Sequence, residues 1–422
     1  MGRQVLVLGG GGREHALAWA LARSPSVSGV HTAPGNPGTA GLGPTHPLDP
    51  TDPSAVVALA RELGVDLVVV GPEAPLVAGV VDALEAVGVP AFGPRAAAAR
   101  IEGSKAFAKE IMAAAGAPTG GAVATSEVPE ALAALERFGA PYVVKADGLA
   151  AGKGVRICAD LAAAREAVDD ALVRGVFGGA GSRVVIEEYL AGPERSVFGV
   201  CDGTDVVLLE PAQDYKRALD GDAGLNTGGM GAYTPVPGFA LAEVAELEEV
   251  VFRPVLEELA DRGIPYRGLL YAGLVETAEG PKLLEFNARF GDPETQAILP
   301  RIDSDLGELL WAAATGSVAD RSVTWRDAAA VTVVLAAGGY PGSYPTGVPI
   351  EGVERAASHP DIEVFHAGTR RDDGRLVTAG GRVLAVTALG ADVARARQRA
   401  YDAADEIGFE GAHRRNDIAA GI

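Results

Sequence analysis

The chain has 422 residues, 48% of them hydrophobic and 22% charged; these are globular values, and the length suits about three domains. Acidic residues outnumber basic ones 56 to 36, for a net charge of −20, which excludes a nucleic-acid or anionic-membrane partner over most of the surface. The two cysteines, Cys158 and Cys201, and six scattered histidines exclude a disulfide scaffold and the common Cys- or His-based zinc sites.

The apolar run 5–8 is too short for a signal-peptide core or a membrane span. With so few cysteines, a cytoplasmic protein is expected. Residues 4–9 read as a buried strand ending in four glycines, 13–23 as a helix and 29–33 as a second strand. Asp52 and Pro53 form a cap and first-turn pair that opens a helix to Leu63. A third strand at 66–70, a helix near 76–87 and a short strand to Phe92 follow. This βαβα order predicts a doubly wound parallel sheet.

After Gly103 the texture changes. A helix is predicted at 104–115 and a strand at 142–145. A Gly-rich loop at 147–154 and a strand at 155–158 follow. Asp160 caps a helix to about residue 174, before a strand at 183–189. Long strands and a Gly-rich loop (221–231) fill 195–327, where 269–276 and 282–287 read as a hairpin closed by 277–280. The last unit starts with an apolar strand at 330–336 and ends in a helix at 393–407. The predicted class is α/β and α+β multidomain. Its units are 1–102, 103–120 with 191–327, 121–190, and 328–422.

Lysine is rare: of the 36 basic residues only six are Lys. Any polyanionic small molecule must be held by a local basic site, so these positions are informative. Lys145 and Lys153 flank a loop that resembles a Walker A sequence but breaks its spacing and leads into a strand. Such a loop suits a flap whose glycine amides, Gly152 and Gly154 among them, approach a triphosphate. The alternative is a flexible hairpin with solvated lysines.

Gly10, Gly11, Gly12 and Arg13 lie between a strand and a helix, where backbone amides and the helix end favour an anion. A dinucleotide fingerprint fails there, because Glu14 holds the third glycine position. Along 282–287, alternation puts Glu285 and Asn287 on one face, two oxygen donors suited to Mg²⁺ or Mn²⁺. Glu276 on the paired strand is a candidate third donor, and Arg289 brings a planar cation nearby. Glu187, Glu188, Tyr189, Leu190 and Glu194 end an acidic strand able to accept bonds from a ribose or an adenine. Asp214, Tyr215 and Lys216 open a Gly-rich loop that suits substrate ordering or is a plain surface loop.

Together these segments resemble the ATP-grasp ligases, and within them the glycinamide ribonucleotide synthetase family. The resemblance covers the whole chain. It is carried by 10–16, 33–36, 71–76, 102–107, 145–155, 226–233, the specific run 289–294, and 338–342. Ala288 and Tyr215 depart from the family pattern, which has His at the latter position.

The resemblance implies an ATP-grasp fold with an N-terminal pre-ATP-grasp domain and a small C-terminal α+β domain. It implies ATP-dependent joining of glycine to 5-phosphoribosylamine through glycyl phosphate, a step of purine biosynthesis, with Mg²⁺ or Mn²⁺. The alternative is another ATP-grasp ligase, such as a carboxylase acting on bicarbonate. By resemblance, Lys105 and Lys145 meet ATP phosphates under the flap that holds Gly152, Lys153 and Gly154, and Lys216 also binds ATP. Glu187 to Leu190 hold adenine and Glu194 the ribose. Glu285 and Asn287 hold the cation, and Arg289, Lys145 and Asp292 act in catalysis. Asp214 and Asp292 orient the glycine ammonium. Gly10, Gly11, Gly12, Arg13 and Glu73 hold phosphoribosylamine. No nucleic acid or membrane partner is implied, and a monomer is expected.

Overall fold

The computed structural model describes residues 2–149, 154–239 and 241–422. Strands β1 (Arg3–Gly9), β2 (Val27–Pro34), β3 (Leu67–Val70) and β4 (Ala91–Phe92) form a sheet of order β2-β1-β3-β4. Every pairing in it is parallel. Parallel neighbours need crossovers, which the helices Gly12–Ala22 and Pro53–Leu63 supply. Asp52 caps the second helix by accepting from the amides of Ser54 and Ala55. The helix expected near 76–87 is two helices, Glu73–Val77 and Val80–Ala86, broken where Gly79 turns left-handed at φ 82°. Leu76, Val80, Val81 and Leu84 are buried on both sides of the break. The apolar period therefore continues through it and hides it.

The second sheet holds β5 (Ala122–Thr125), β6 (Tyr142–Ala146), β7 (Val155–Cys158) and β8 (Val184–Glu187) in the order β5-β8-β6-β7, all antiparallel. The helices Val128–Phe138 and Leu161–Leu172 pack on it through small residues such as Ala131, Ala134, Ala164 and Ala167. The first of these helices has no counterpart among the predicted elements. Its proline lies in the first turn, where the missing N–H costs nothing.

Strands β9 (Glu194–Asp202) and β10 (Val206–Asp214) precede the short ribbon of β11 (Arg217–Leu219) and β12 (Ala223–Asn226). Then come β13 (Gly231–Thr234), β14 (Arg267–Thr277), β15 (Gly280–Asn287), β16 (Ala329–Ala336) and β17 (Ile362–His366). A hairpin of β18 (Thr369–Asp372) and β19 (Arg375–Thr378) and the long β20 (Arg382–Gly390) complete the strands. Eight of them make one sheet, β15-β14-β9-β10-β13-β16-β20-β17. It runs unbroken across residue 328, because Gly231 to Thr234 pair with Val333 to Ala330. All eight residues of β16 are buried, as a central strand covered on both faces requires. The hairpin of β14 and β15 has the expected closure, with Thr277 opposite Gly280. No helix among the described residues is long and apolar enough to cross a membrane.

Candidate active site

Four elements converge on a cleft: β6 and β8 from the second sheet, β15 from the large sheet, and the helix Lys105–Ala114. Ser104 caps that helix by accepting from the Phe107 amide. Its hydroxyl in turn bonds to Asp147, whose carboxylate also accepts from Ala106 N at 2.8 Å. The start of the helix is thereby tied to the loop after β6, which sets Lys105 beside Lys145.

Lys145 Nζ donates to Glu187 Oε2 at 3.0 Å, and Lys109 Nζ lies 3.1 Å from the same oxygen. All three side chains are at most 10% exposed. Lys109 Nζ also reaches Thr119 Oγ1 at 2.9 Å. Among the described residues, Glu187 Oε1 is buried without a partner. Burial pushes the ammonium pKa of Lys105 and Lys109 down, while Glu285 and Glu187 respectively pull them back. Ammonium groups in such a desolvated site offer charge-assisted hydrogen bonds to phosphate oxygens, stronger than neutral ones.

Glu285 faces these lysines from β15. Its carboxylate makes no hydrogen bond or ion pair within the described residues. Burial works against its charge, but Lys216, Lys145, Lys105 and Arg289 outweigh burial and hold it below the usual carboxylate range. Asn287 follows on the same face, with one long 3.4 Å contact from Arg289 Nη2 to its Oδ1. Phe286 between them enters the core. A carboxylate with no partner among the described residues and an amide oxygen with one long contact suit a hard cation. No group of three or more His, Cys, Asp or Glu among the described residues could hold a metal by itself. A cation on this pair therefore needs oxygens from a bound phosphate or water, as Mg²⁺ commonly does. Glu276 does not join them. It pairs with Pro281, three positions beyond Glu285's partner Gly273, about 10 Å along the strand.

Lys216 is ion-paired with Glu194 and lies near Asp214 and Glu285. Burial alone would disfavour its charge, but these carboxylates raise its pKa. Burial pushes Asp214 up to about 7 against the pull of Lys216, with Glu294 and Glu194 adding to the rise.

A second group lies against the first sheet. Arg289 reaches Glu102 Oε1 from Nη2 at 3.1 Å and Glu73 Oε2 from Nε at 3.5 Å. Glu102 Oε2 also accepts from Ala288 N at 2.7 Å. Arg13 Nε bonds Glu14 Oε1 at 2.5 Å, and its Nη1 donates to the Phe290 carbonyl at 3.2 Å. Glu14 explains why the third glycine is missing from the loop. Its carboxylate accepts from Gly11 N at 2.7 Å and fills the space beside Gly9, where a Cβ would lie 2.5 Å from Glu14 Cγ. The amides of Gly12 and Arg13 lie in the first helical turn and have no partner within the helix. Asp292 is more committed. Its oxygens take Arg382 Nη2 at 2.9 Å and Gln296 Nε2 at 2.7 Å. Burial would raise its pKa, but Arg382 and Arg13 hold it down.

The remaining expected residues lie at the cleft's edge. Glu188 accepts from Gly121 N at 3.0 Å, Tyr189 is exposed, and Leu190 packs near Gly120. Gly154 accepts from Ala146 N at 2.8 Å, joining the two ends of the flap loop. Gly152 and Lys153 lie outside the described residues. Lys109 and Glu102 were not among the expected site residues. The rarity of lysine marked the first, and the second sits in the motif before Ser104.

The sequence model of the phosphoribosylglycinamide synthetase ATP-grasp (A) domain matches residues 103–295, that of the N domain 3–102, and that of the C domain 330–421. The chain belongs to the phosphoribosylglycinamide synthetase family. A phosphoribosylamine–glycine ligase of Streptomyces coelicolor is 54% identical over 420 residues, 99% of each chain. The crystal structure of the Thermotoga maritima phosphoribosylamine–glycine ligase superposes with TM-score 0.85 at 35% identity, over 98% of this chain and 100% of that one. The biotin carboxylase domain of the Hydrogenobacter thermophilus 2-oxoglutarate carboxylase, solved with MgADP and bicarbonate, matches at TM-score 0.76 over 98% of this chain and 91% of that one. At 18% identity that likeness concerns the fold alone. The family assignment thus rests on the full length of the chain, and the fold is that of the ATP-grasp ligases, which use ATP with a divalent cation.

Glu102 is the family-motif residue that holds Arg289 in place. Glu102→Gln keeps an acceptor for Ala288 N but removes the charge facing the guanidinium. We expect kcat to fall by about 2 kcal/mol in barrier, roughly 30-fold, with little change in thermal stability. Steady-state kinetics beside a melting curve checks this, and wild-type turnover would contradict it.

Proposed function

We propose a division of labour within a chain that, by its family, is a phosphoribosylamine–glycine ligase of purine biosynthesis. The observation that carries it is the convergence of Lys105, Lys145 and Lys216 with the carboxylate of Glu285 and with Arg289, beside the weakly held amide oxygen of Asn287. Carboxylate oxygen is a poor leaving group, so glycine must first become an acyl phosphate. Its carboxylate attacks the γ-phosphorus of ATP, the bond to the β-bridging oxygen breaks, and ADP leaves with the electron pair. The amine of 5-phosphoribosylamine then attacks the acyl carbon and expels phosphate. It loses a proton as the amide forms.

The first transfer depends on position and charge neutralisation rather than on a protein nucleophile. Lys105, Lys145 and Lys216 meet the phosphates. Glu187 and Lys109 keep the Lys145 ammonium in register. Arg289, braced by Glu102 and Glu73, neutralises the transferring phosphoryl and then the acyl phosphate. Glu285 and Asn287 hold Mg²⁺ or Mn²⁺, which supplies Lewis-acid polarisation of the phosphates when bound. Glu187 at the end of β8 and the segment Glu188 to Leu190 after it line the adenine, with Glu194 at the ribose. Lys153, Gly152 and Gly154 belong to the flap that excludes water from the acyl phosphate.

The glycine ammonium needs a free carboxylate. Asp214 suits this better than Asp292, whose oxygens already take Arg382 and Gln296; Asp292 then braces the loop that carries Arg289. Gly10, Gly11, Gly12, Arg13 and Glu73 hold phosphoribosylamine, with the amides of Gly12 and Arg13 toward its phosphate. The reading includes a cytoplasmic monomer with the four units given above, and neither nucleic acid nor membrane as partner.

Glu285→Ala is expected to abolish divalent-dependent ADP formation while leaving the far-ultraviolet circular dichroism unchanged. Near-normal turnover would refute the metal assignment. Asp214 must be ionised to hold an ammonium, and its carboxyl titrates near pH 7. Hence kcat/KM for glycine should fall about tenfold per pH unit on the acid side of about pH 7. A profile flat from about pH 8 to about pH 6 would remove Asp214 from that role.

A further inference from the structure

The end of the chain is built around a buried arginine that the proposed chemistry does not use. Arg415 is 1% exposed. Its Nε and Nη2 grip Asp417 at 2.7 and 2.6 Å, and its Nη1 reaches Asp222 Oδ1 at 2.7 Å and the Arg217 carbonyl at 3.2 Å. The guanidinium sits 4.8 Å from the centre of the Tyr215 ring. Neighbouring residues extend the same grip. Ala419 N donates to Tyr215 Oη at 2.8 Å, and Asn416 N donates to Asp220 Oδ1 at 2.7 Å. Gly221 N donates to Asp417 Oδ2 at 2.8 Å, and His413 Nε2 meets the Ala218 carbonyl at 2.7 Å. Tyr401 Oη locks the segment from the other side by donating to the Arg415 carbonyl at 2.9 Å.

All of these contacts except those to Tyr401 and Asp417's own link to Arg415 land on the stretch 215–222. Lys216 lies inside that stretch. Its carbonyl accepts from Thr227 N at 2.7 Å, and its ammonium turns to Glu194 and the cleft. Both flanks of Lys216 are therefore fixed from the C-terminal segment, while its head group is left to the site. The backbone at Tyr215 and Lys216 is also bonded to Thr227, Met230 and Gly231, but the ribbon that follows has little cover of its own: all four residues of β12 are exposed, and Leu219 and Leu225 are 48% and 66% exposed. Tyr215, a departure from the family pattern, is explained by the same contacts. Its ring lies against Arg415 and its hydroxyl holds Ala419.

We propose that Arg415 is a positioning residue: through Asp222, Asp417 and Tyr215 the C-terminal segment sets where the Lys216 ammonium stands in the nucleotide site. The inference rests on the reading that Lys216 meets ATP. A buried, fully bonded guanidinium serves geometry better than it serves net stability, which makes it suited to such a task.

A double-mutant cycle tests this on the full-length enzyme, with KM for ATP, kcat and melting temperature measured for Arg415→Met, Lys216→Met and the double variant. We expect Lys216→Met to raise KM for ATP about tenfold and Arg415→Met about fivefold, with kcat changed less than about twofold by Arg415→Met. The double variant should be no worse than Lys216→Met alone, because Arg415 then has nothing left to place. Multiplying effects, or an unchanged KM in Arg415→Met beside an impaired Lys216→Met, would overturn the inference alone. A silent Lys216→Met would overturn the nucleotide role of Lys216 and the inference with it. If Arg415→Met fails to fold, Asp222→Asn, which removes one charged partner whose side chain is 71% exposed, enters the same cycle with an expected rise of about twofold. Its additivity with Lys216→Met would be equally fatal.

Discussion

Lys109 and Lys145 bring two ammonium groups within 3.1 Å of one Glu187 oxygen, and the cleft depends on that carboxylate. Two like charges about 4 Å apart repel by roughly 4 kcal/mol at an effective dielectric of about 20. Glu187 offsets this, and Glu285 does the same for Lys105 and Lys216 from the opposite strand. The cations are thus preorganised before any phosphate arrives. The carboxylates set a condition in return. A polyphosphate entering beside an ionised Glu285 meets repulsion unless a divalent cation joins the two. On the metal assignment proposed for Glu285 and Asn287, charge balance as well as Lewis acidity would call for the divalent cation that ATP-grasp ligases use.

The fold supplies rigidity where this balance needs it. Glu285 and Asn287 lie on a strand hydrogen-bonded to β14, which continues through β9 and β10 to Asp214. One sheet therefore fixes the pair proposed for the metal, Glu194, proposed for the ribose, and the carboxylate proposed for glycine. Lys145 and Glu187 stand diagonally on neighbouring strands of the second sheet, where Lys145 pairs with Val185 and Glu187 with Val143, so the offset of two keeps both on one face. The first sheet adds Arg13 and Glu73 at the ends of parallel strands, the place where open α/β sheets collect their ligands. Arg289 is the joint between these parts, since its partners Glu73 and Glu102 precede it by 216 and 187 residues.

Much of this was legible in the sequence. Alternation separated Glu285 and Asn287 from Phe286, the Asp52-Pro53 pair marked a helix start, and the scarcity of lysine marked the cleft proposed for the nucleotide. Other features were hidden for physical reasons. Apolar period cannot show a helix break at Gly79 that keeps its buried face on both sides. Glu276 looked close to Glu285 because the hairpin register was unknown. Glu102 and Arg415 act through partners some two hundred positions away, at 186 residues for Glu102 and Ala288 and 193 for Arg415 and Asp222, a distance over which local pattern carries no signal. Glu14 read as a defect in a glycine motif, whereas it caps the loop it interrupts.

The most direct measurement is a calorimetric titration of ATP into the enzyme and into Glu285→Gln, each with and without a divalent cation. For the native chain the cation should tighten ATP binding at least about tenfold, and Glu285→Gln should bind ATP without the cation better than the native chain does. Equal affinity with and without the cation, together with no gain in Glu285→Gln, would show that charge balance at Glu285 does not govern the site.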